Sequence, residues 1–204
     1  MKALILETSN QKSFLLLAVD KKVEKVHLLP SGSALSKTLS SEVKTFLQGE
    51  RVDWIFASQG PGSYTGTRVG AALAKGLSFG WDIPLYGFCS LEALTPSSEG
   101  SFAVLIDARL GGAYVLLGER RKDALEISIP SLVSWEDLDS FVQNREILVS
   151  PSPLDLMAKA PNLLIQEAEP CFEELAAKVF SPQFQTPLQL SYLSPSSKEK
   201  SLKS

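Results

Sequence analysis

Ser58-Gln59-Gly60-Pro61-Gly62-Ser63-Tyr64-Thr65-Gly66-Thr67-Arg68-Val69-Gly70 joins a short apolar run at residues 52–57 to a segment with helical periodicity. A strand, a glycine-rich turn and a helix in that order invite comparison with a phosphate cradle. The spacing argues against one. A Walker A loop needs four residues between its glycines and a Lys directly after the second. Counted from Gly60, the second glycine position holds Thr65, and Thr67 rather than Lys follows Gly66. The dinucleotide fingerprint fails as well, because Gly60 and Gly62 are followed by Thr65 where the third glycine should stand. What remains is the weak affinity of any helix N-terminus for an anion.

The spacing predicts a helix over residues 66–79, with Ser63 or Thr65 able to cap its first turn. At about 100° per residue, Val69, Ala72, Leu73, Gly76 and Leu77 form an apolar stripe suited to packing on a sheet. Beside it Gly66, Gly70 and Ala74, with Thr67, Ala71 and Ser78, form a second face almost without side chains, while Arg68 and Lys75 take the solvated sector. Glycine inside a helix costs about 1 kcal/mol against alanine, so another element is expected to approach the backbone closely. That element is either part of the same chain or part of another subunit. The sharper expectation is a subunit interface at Gly66, Thr67, Gly70, Ala71 and Ala74.

Outward from this stretch the chain repeats one rhythm. Strands are expected at residues 2–7, 13–19 and 23–29, a helix at 35–48, a strand at 52–57, the helix at 66–79, a strand at 84–88 and a short helix near Leu91. The second half follows with strands at 102–107, 113–119 and 124–129 and a helix at 135–143 capped by Ser134. A strand at 147–149, a short helix at 154–158, a strand at 163–165 and a helix at 172–180 complete it. Both halves read as βββαβα. The expected organisation is an N-terminal lobe at residues 1–96, a C-terminal lobe at 97–193 and a disordered Ser- and Lys-rich tail at 194–204.

Of 204 residues, 44% are hydrophobic and 21% charged, with a net charge of −3, ordinary values for a globular protein that can bury a core. That balance does not provide the clustered Lys and Arg of a direct nucleic-acid binder. No 18-residue apolar segment or secretory leader is visible. The two cysteines, Cys89 and Cys171, lie outside any CxxC spacing. A cytoplasmic protein with reduced thiols and no membrane association is expected.

Gly60-Pro61-Gly62-Ser63-Tyr64-Thr65-Gly66-Thr67-Arg68-Val69-Gly70, followed by Leu85-Tyr86-Gly87-Phe88-Cys89-Ser90-Leu91, closely resembles the TsaB (YeaZ) proteins. Ala3-Leu4-Ile5-Leu6-Glu7-Thr8-Ser9 and Leu105-Ile106-Asp107-Ala108-Arg109-Leu110-Gly111 agree with it. The chain departs from the family pattern at Glu7, usually Asp, at Ala34, often His, and at Ser194 after Tyr192-Leu193, usually Arg. The resemblance implies a role in forming threonylcarbamoyladenosine (t6A) in tRNA, and an α/β, two-lobed actin-like (ASKHA, RNase H-like) fold with duplicated βββαβα lobes. It further implies a homodimer, a heterodimer with a TsaD-like protein and association with a TsaE-like ATPase. ATP, metal and most contact with tRNA would then belong to the partners, and this chain would have no cofactor of its own.

The chemistry-bearing residues agree with a non-catalytic subunit. His27 is the single histidine, expected as an exposed strand residue, and cannot build a paired metal site. Where the sister family TsaD carries a metal-binding His-x-x-x-His, the aligned positions are Ser90 and Leu94. Cys89 has no histidine to activate it and reads as a small buried thiol. Glu7, Ser9, Asp107 and Arg109 stand at strand ends where actin-like ATPases gather magnesium and phosphate. Glu7 and Asp107 are expected to bond backbone N–H groups at the cleft, because the loops that follow them are poor in glycine. The rival expectation is a small actin-like ATPase or kinase that uses Glu7 and Asp107 with magnesium.

Overall fold

A computed structural model describes residues 1–30, 32–109, 111–191 and 193. The expected tail at 194–204 lies outside the described residues, as do Tyr192 and Leu110. Lys2–Glu7 (β1), Phe14–Val19 (β2) and Lys22–Leu28 (β3) form an antiparallel meander. Ser33–Leu47 (α1), Trp54–Ser58 (β4), Tyr64–Trp81 (α2) and Leu85–Phe88 (β5) follow, with β4 parallel to β1 and β5 parallel to β4. Buried on both faces, β1 reads as a continuous apolar run. Leu4 and Leu6 pack with Leu39, Val43 and Phe46 of α1 and Ala74 of α2, whereas Ala3 and Ile5 point to the opposite face.

The second lobe runs through Gly100–Asp107 (β6), Gly112–Arg121 (β7), Ala124–Ile127 (β8), Ser131–Ser134 (β9), Trp135–Val142 (α3) and Ile147–Ser150 (β10). Pro153–Met157 (α4), Gln166–Glu167 (β11), Phe172–Lys178 (α5) and Thr186–Pro187 (β12) complete the chain. The sheet orders are β12-β5-β4-β1-β2-β3 and β11-β10-β6-β7-β8, with β9 pairing β7 off the second path. Leaving β12 and β9 aside, each lobe lays its third, second, first, fourth and fifth strands side by side. This is the duplicated, two-lobed actin-like architecture. Ser134 does cap α3, accepting from the Asp137 N–H.

The division at residues 97–193 needs correction. From α5 onward, much of the chain returns to the first lobe. Leu175, Ala176 and Val179 cover the face of the first sheet formed by Ala3, Ile5, Phe14 and Leu16, and β12 pairs with the free edge of β5. The physical reason is that this face of the first sheet has no helix of its own, since α1 and α2 both lie on the other side. In exchange Leu91 and Leu94, from the first lobe's last turn, fill the face of the second sheet lined by Phe102, Val104 and Leu116. The strand expected at 163–165 is displaced to β11, because Ile165 turns into the second core and pairing with β10 begins at Gln166.

Candidate functional site

The polar residues of the first lobe gather where β1 ends. Gly62, Gly66 and Gly70 all face the turn that follows β1. A Cβ at Gly66 would overlap the Thr8 carbonyl oxygen, one at Gly70 would overlap Thr8 Oγ1, and one at Gly62 would overlap the Ser9 carbonyl oxygen. The glycines thus bring α2 against the Thr8–Ser9 backbone. Hydrogen bonds fix the approach: Ser63 N–H donates to the Ser9 carbonyl at 2.6 Å, and Thr8 Oγ1 donates to the Gly66 carbonyl at 2.9 Å.

This placement corrects the expected interface. Gly66, Thr67, Gly70, Ala71 and Ala74 are all buried within the chain, because the turn after β1 and the sheet beneath already fill the smooth face. The weak anion affinity expected at the start of α2 is also partly taken up. The N–H groups of Ser63, Gly66 and Thr67 already donate to the Ser9 carbonyl, Ser63 Oγ and the Ser63 carbonyl.

Glu7 is fully buried. Its Oε1 accepts from Ser9 N–H at 2.5 Å and from Ser9 Oγ at 2.7 Å, and Ser9 Oγ also lies 2.6 Å from Ser90 Oγ. Ser58 Oγ accepts from Thr8 N–H at 3.3 Å. Glu7 Oε2 is buried with no hydrogen-bond partner, as is Asn10 Nδ2. Burial pushes the Glu7 carboxyl up to about 7, against the opposing pull of Ser9, Ser58 and Ser90. Ser58 and Ser90 were not singled out as partners of Glu7 by the sequence. Only the serine-flanked glycine turn hinted at them.

Asp107 occupies the equivalent strand end in the second lobe and makes the same local turn, Oδ1 accepting from Arg109 N–H at 2.8 Å. Its Oδ2 lies 2.5 Å from Lys159 Nζ, whose ammonium also sits 5.1 Å from the Trp135 ring centre. Lys159 carried no signal in the sequence. Arg109 holds a left-handed backbone, φ 56°, and its side chain is exposed. Glu7 and Ser9 are therefore joined in one enclosed cluster, and Asp107 and Arg109 form a separate turn on the other sheet.

Magnesium with a nucleotide does not fit these residues. Glu7 is enclosed among hydroxyls, Asp107 is held by Lys159, and the Thr8, Ser9 and Arg109 N–H groups are taken. Among the described residues no group of three or more His, Cys, Asp and Glu side chains is placed to hold a metal. Ser90 is fully buried and Leu94 belongs to the second core. Cys89 is pushed up to about 12 by burial of its thiol, then by the nearby Glu92 carboxylate. His27 is less free than expected of a bare strand residue: its Nε2 lies 2.8 Å from Glu42 Oε2 on α1.

The side of α2 that faces solvent has a different character. Gly76 and Gly80 have nothing within contact of a would-be Cβ, and Phe79 is 91% exposed. Beside Phe79 an open groove of about 630 Å³ is lined by Lys75, Ser78, Asp82, Ile83, Pro84 and Leu85. At the other end of the helix, the Arg68 guanidinium lies 3.7 Å from the Tyr64 ring centre. No helix among the described residues is long and apolar enough to cross a membrane.

A family model described as TsaD, tRNA N6-adenosine threonylcarbamoyltransferase, matches residues 34–183. The chain is 36% identical over 91 residues to the tRNA threonylcarbamoyladenosine biosynthesis protein TsaB of Bacillus subtilis, covering 41% of this chain and 40% of that protein. It is 33% identical over 103 residues to TsaB of Haemophilus influenzae, covering 48% of this chain and 39% of that one. These matches span about two fifths of the relatives' length. Among solved structures, YeaZ from Pseudomonas aeruginosa superposes with a TM-score of 0.67 at 17% identity, covering 93% of this chain and 99% of that one. That last likeness concerns the fold.

Proposed function

Because the chain belongs to the TsaB (YeaZ) family of t6A-biosynthesis proteins, we propose that it is a non-catalytic subunit that binds a TsaD-type protein and supports threonylcarbamoyl transfer to adenosine in tRNA. The observation that carries this reading is the use made of the glycine motif. Gly62, Gly66 and Gly70 are occupied in seating α2 on Thr8 and Ser9, so the motif serves to position a helix rather than to cradle phosphate. The helix so positioned presents Ala72, Gly76, Phe79 and Gly80 outward, and Gly76 and Gly80 have no packing role inside the chain. Helix glycines without an internal reason, next to a bare phenylalanine, suit close approach by a partner helix.

On this reading the same surface serves a homodimer when the partner is absent. A TsaE-like ATPase joins the assembly, ATP and metal reside on the partners, and tRNA is met through the complex in the cytoplasm. The test is co-expression with a TsaD-type protein. A stable complex, together with t6A formed only when both are present, is the expected outcome. Titration of the purified chain with ATP and magnesium separates the rival. No saturable binding and no turnover are expected, while stoichiometric nucleotide binding with hydrolysis that is lost in Asp107→Asn would establish the actin-like ATPase or kinase instead.

A further inference from the structure

The lobes are tied together at both ends of the seam between them. Where β1 and β6 end, Lys12, in the turn between β1 and β2, reaches across to the second lobe. Its Nζ lies 2.6 Å from Glu167 Oε1 and 2.6 Å from Glu169 Oε1. At the opposite end, Arg120 stands across from Gly100 at the start of β6. It donates from Nε to the Pro96 carbonyl at 2.6 Å and from Nη2 to Glu174 Oε2 at 2.7 Å. Its Nη2 also reaches Thr95 Oγ1 at 3.4 Å. Thr95 and Pro96 belong to the link between the lobes, and Glu174 stands on α5, the helix that covers the first sheet. One guanidinium thus grips β7, the link and α5 together, and Lys178 Nζ holds Glu174 from the other side at 2.7 Å.

The region by the lysine end is enclosed in spite of its polarity. Glu7, Ser9 and Ser90 are shut from solvent, and Glu7 Oε2 and Asn10 Nδ2 are left without partners. Lys12 closes the same turn that carries these groups, its N–H donating to Asn10 Oδ1 at 2.7 Å, so a loosened lysine would let water reach both atoms. We propose that Lys12 and Arg120 are clasps that hold the two lobes at one angle, so that the chain is a closed body rather than a hinged one. The inference concerns motion within this chain and goes beyond the partner reading, on which it does not depend.

The Arg120–Glu174 pair is well shielded, at 16% and 22% exposure, while Lys12 at 22% meets carboxylates that are 59% and 70% exposed. Salt is therefore expected to loosen the lysine clasp first. Amide hydrogen exchange of the chain measures the opening, through the Thr8 and Ser9 N–H groups. Replacing both clasps, as Lys12→Met with Arg120→Met, should speed those amides roughly tenfold while Leu105 and Val115 in the second core keep their wild-type rates. Wild-type protein in about 1 M salt should show a smaller rise confined to the same amides, and that measurement does not depend on any variant folding. Rates at Thr8 and Ser9 that stay at wild-type values under both conditions would overturn the proposal. So would an equal rise at Leu105 and Val115, which would make the clasps ordinary contributors to global stability.

Discussion

Glu7 is a carboxylate at the end of an apolar strand, and its surroundings decide when it carries a charge. Burial outweighs the Ser9 donors, and its folded value stands near 7 against 4.5 for the free group. Between those values the folded chain keeps a proton that the unfolded chain has released. Stability is therefore fully present below about pH 4.5, falls as pH rises towards 7 and is level above it. The shift corresponds to roughly 3 kcal/mol. Glu7→Gln removes the titration while retaining an oxygen for the Ser9 N–H. Urea unfolding should show this variant more stable than wild type at pH 8, with a flatter profile between pH 5 and 8. A wild-type protein as stable at pH 8 as at pH 5 would show that Glu7 is ionised and solvated in the fold. The sequence marked Glu7 as a chemical residue but not its burial, because an acid at a strand end has the same spelling whether it faces a cleft or a sealed cluster.

At the scale of the element, α2 contains glycines of two kinds, and substitution should separate them. At Gly66 a new Cβ meets the Thr8 backbone, which cannot swing aside, so Gly66→Ala should destabilise the chain by about 1–3 kcal/mol. At Gly76 nothing lies in reach, and alanine should stabilise the helix by up to about 1 kcal/mol. Thermal melts of the two variants test the contrast; equal shifts of one sign would mean that α2 is not seated on Thr8. The helix itself was legible, since Ser63 caps it, but its apolar stripe was only half right: Val69, Leu73 and Leu77 pack on the first core, while Ala72 and Gly76 face outward. The duplicated strand order was legible too, because buried strands announce themselves as apolar runs. What filled the smooth face was not legible, because a sequence displays the shape of a helix face and not its neighbour. Strands β9, β11 and β12 were missed or displaced for a related reason: such short segments pair through backbone groups, which leave no pattern in the side chains. The return of α5 to the first lobe was hidden as well, since its apolar stripe fits either sheet.

At the scale of the whole molecule, the remaining question is which surface a partner covers. The five residues first expected there are buried, and the exposed side of the same helix takes their place. Phe79 is the largest apolar side chain on that side and stands over the groove beside Lys75 and Asp82. If a partner covers it, burial contributes about 1.5–3 kcal/mol, and Phe79→Ala should weaken association roughly 10- to 100-fold. The monomer should not suffer, because a side chain that is 91% exposed contributes little to the isolated fold. Leu164, 82% exposed on the second lobe, provides the control: Leu164→Ala removes a comparable bare side chain and should leave association unchanged. Sedimentation velocity, with and without a TsaD-type protein, reads both variants alongside their melting temperatures. Equal weakening by the two substitutions would point to general surface hydrophobicity, and undiminished association in Phe79→Ala would remove α2 from the interface altogether.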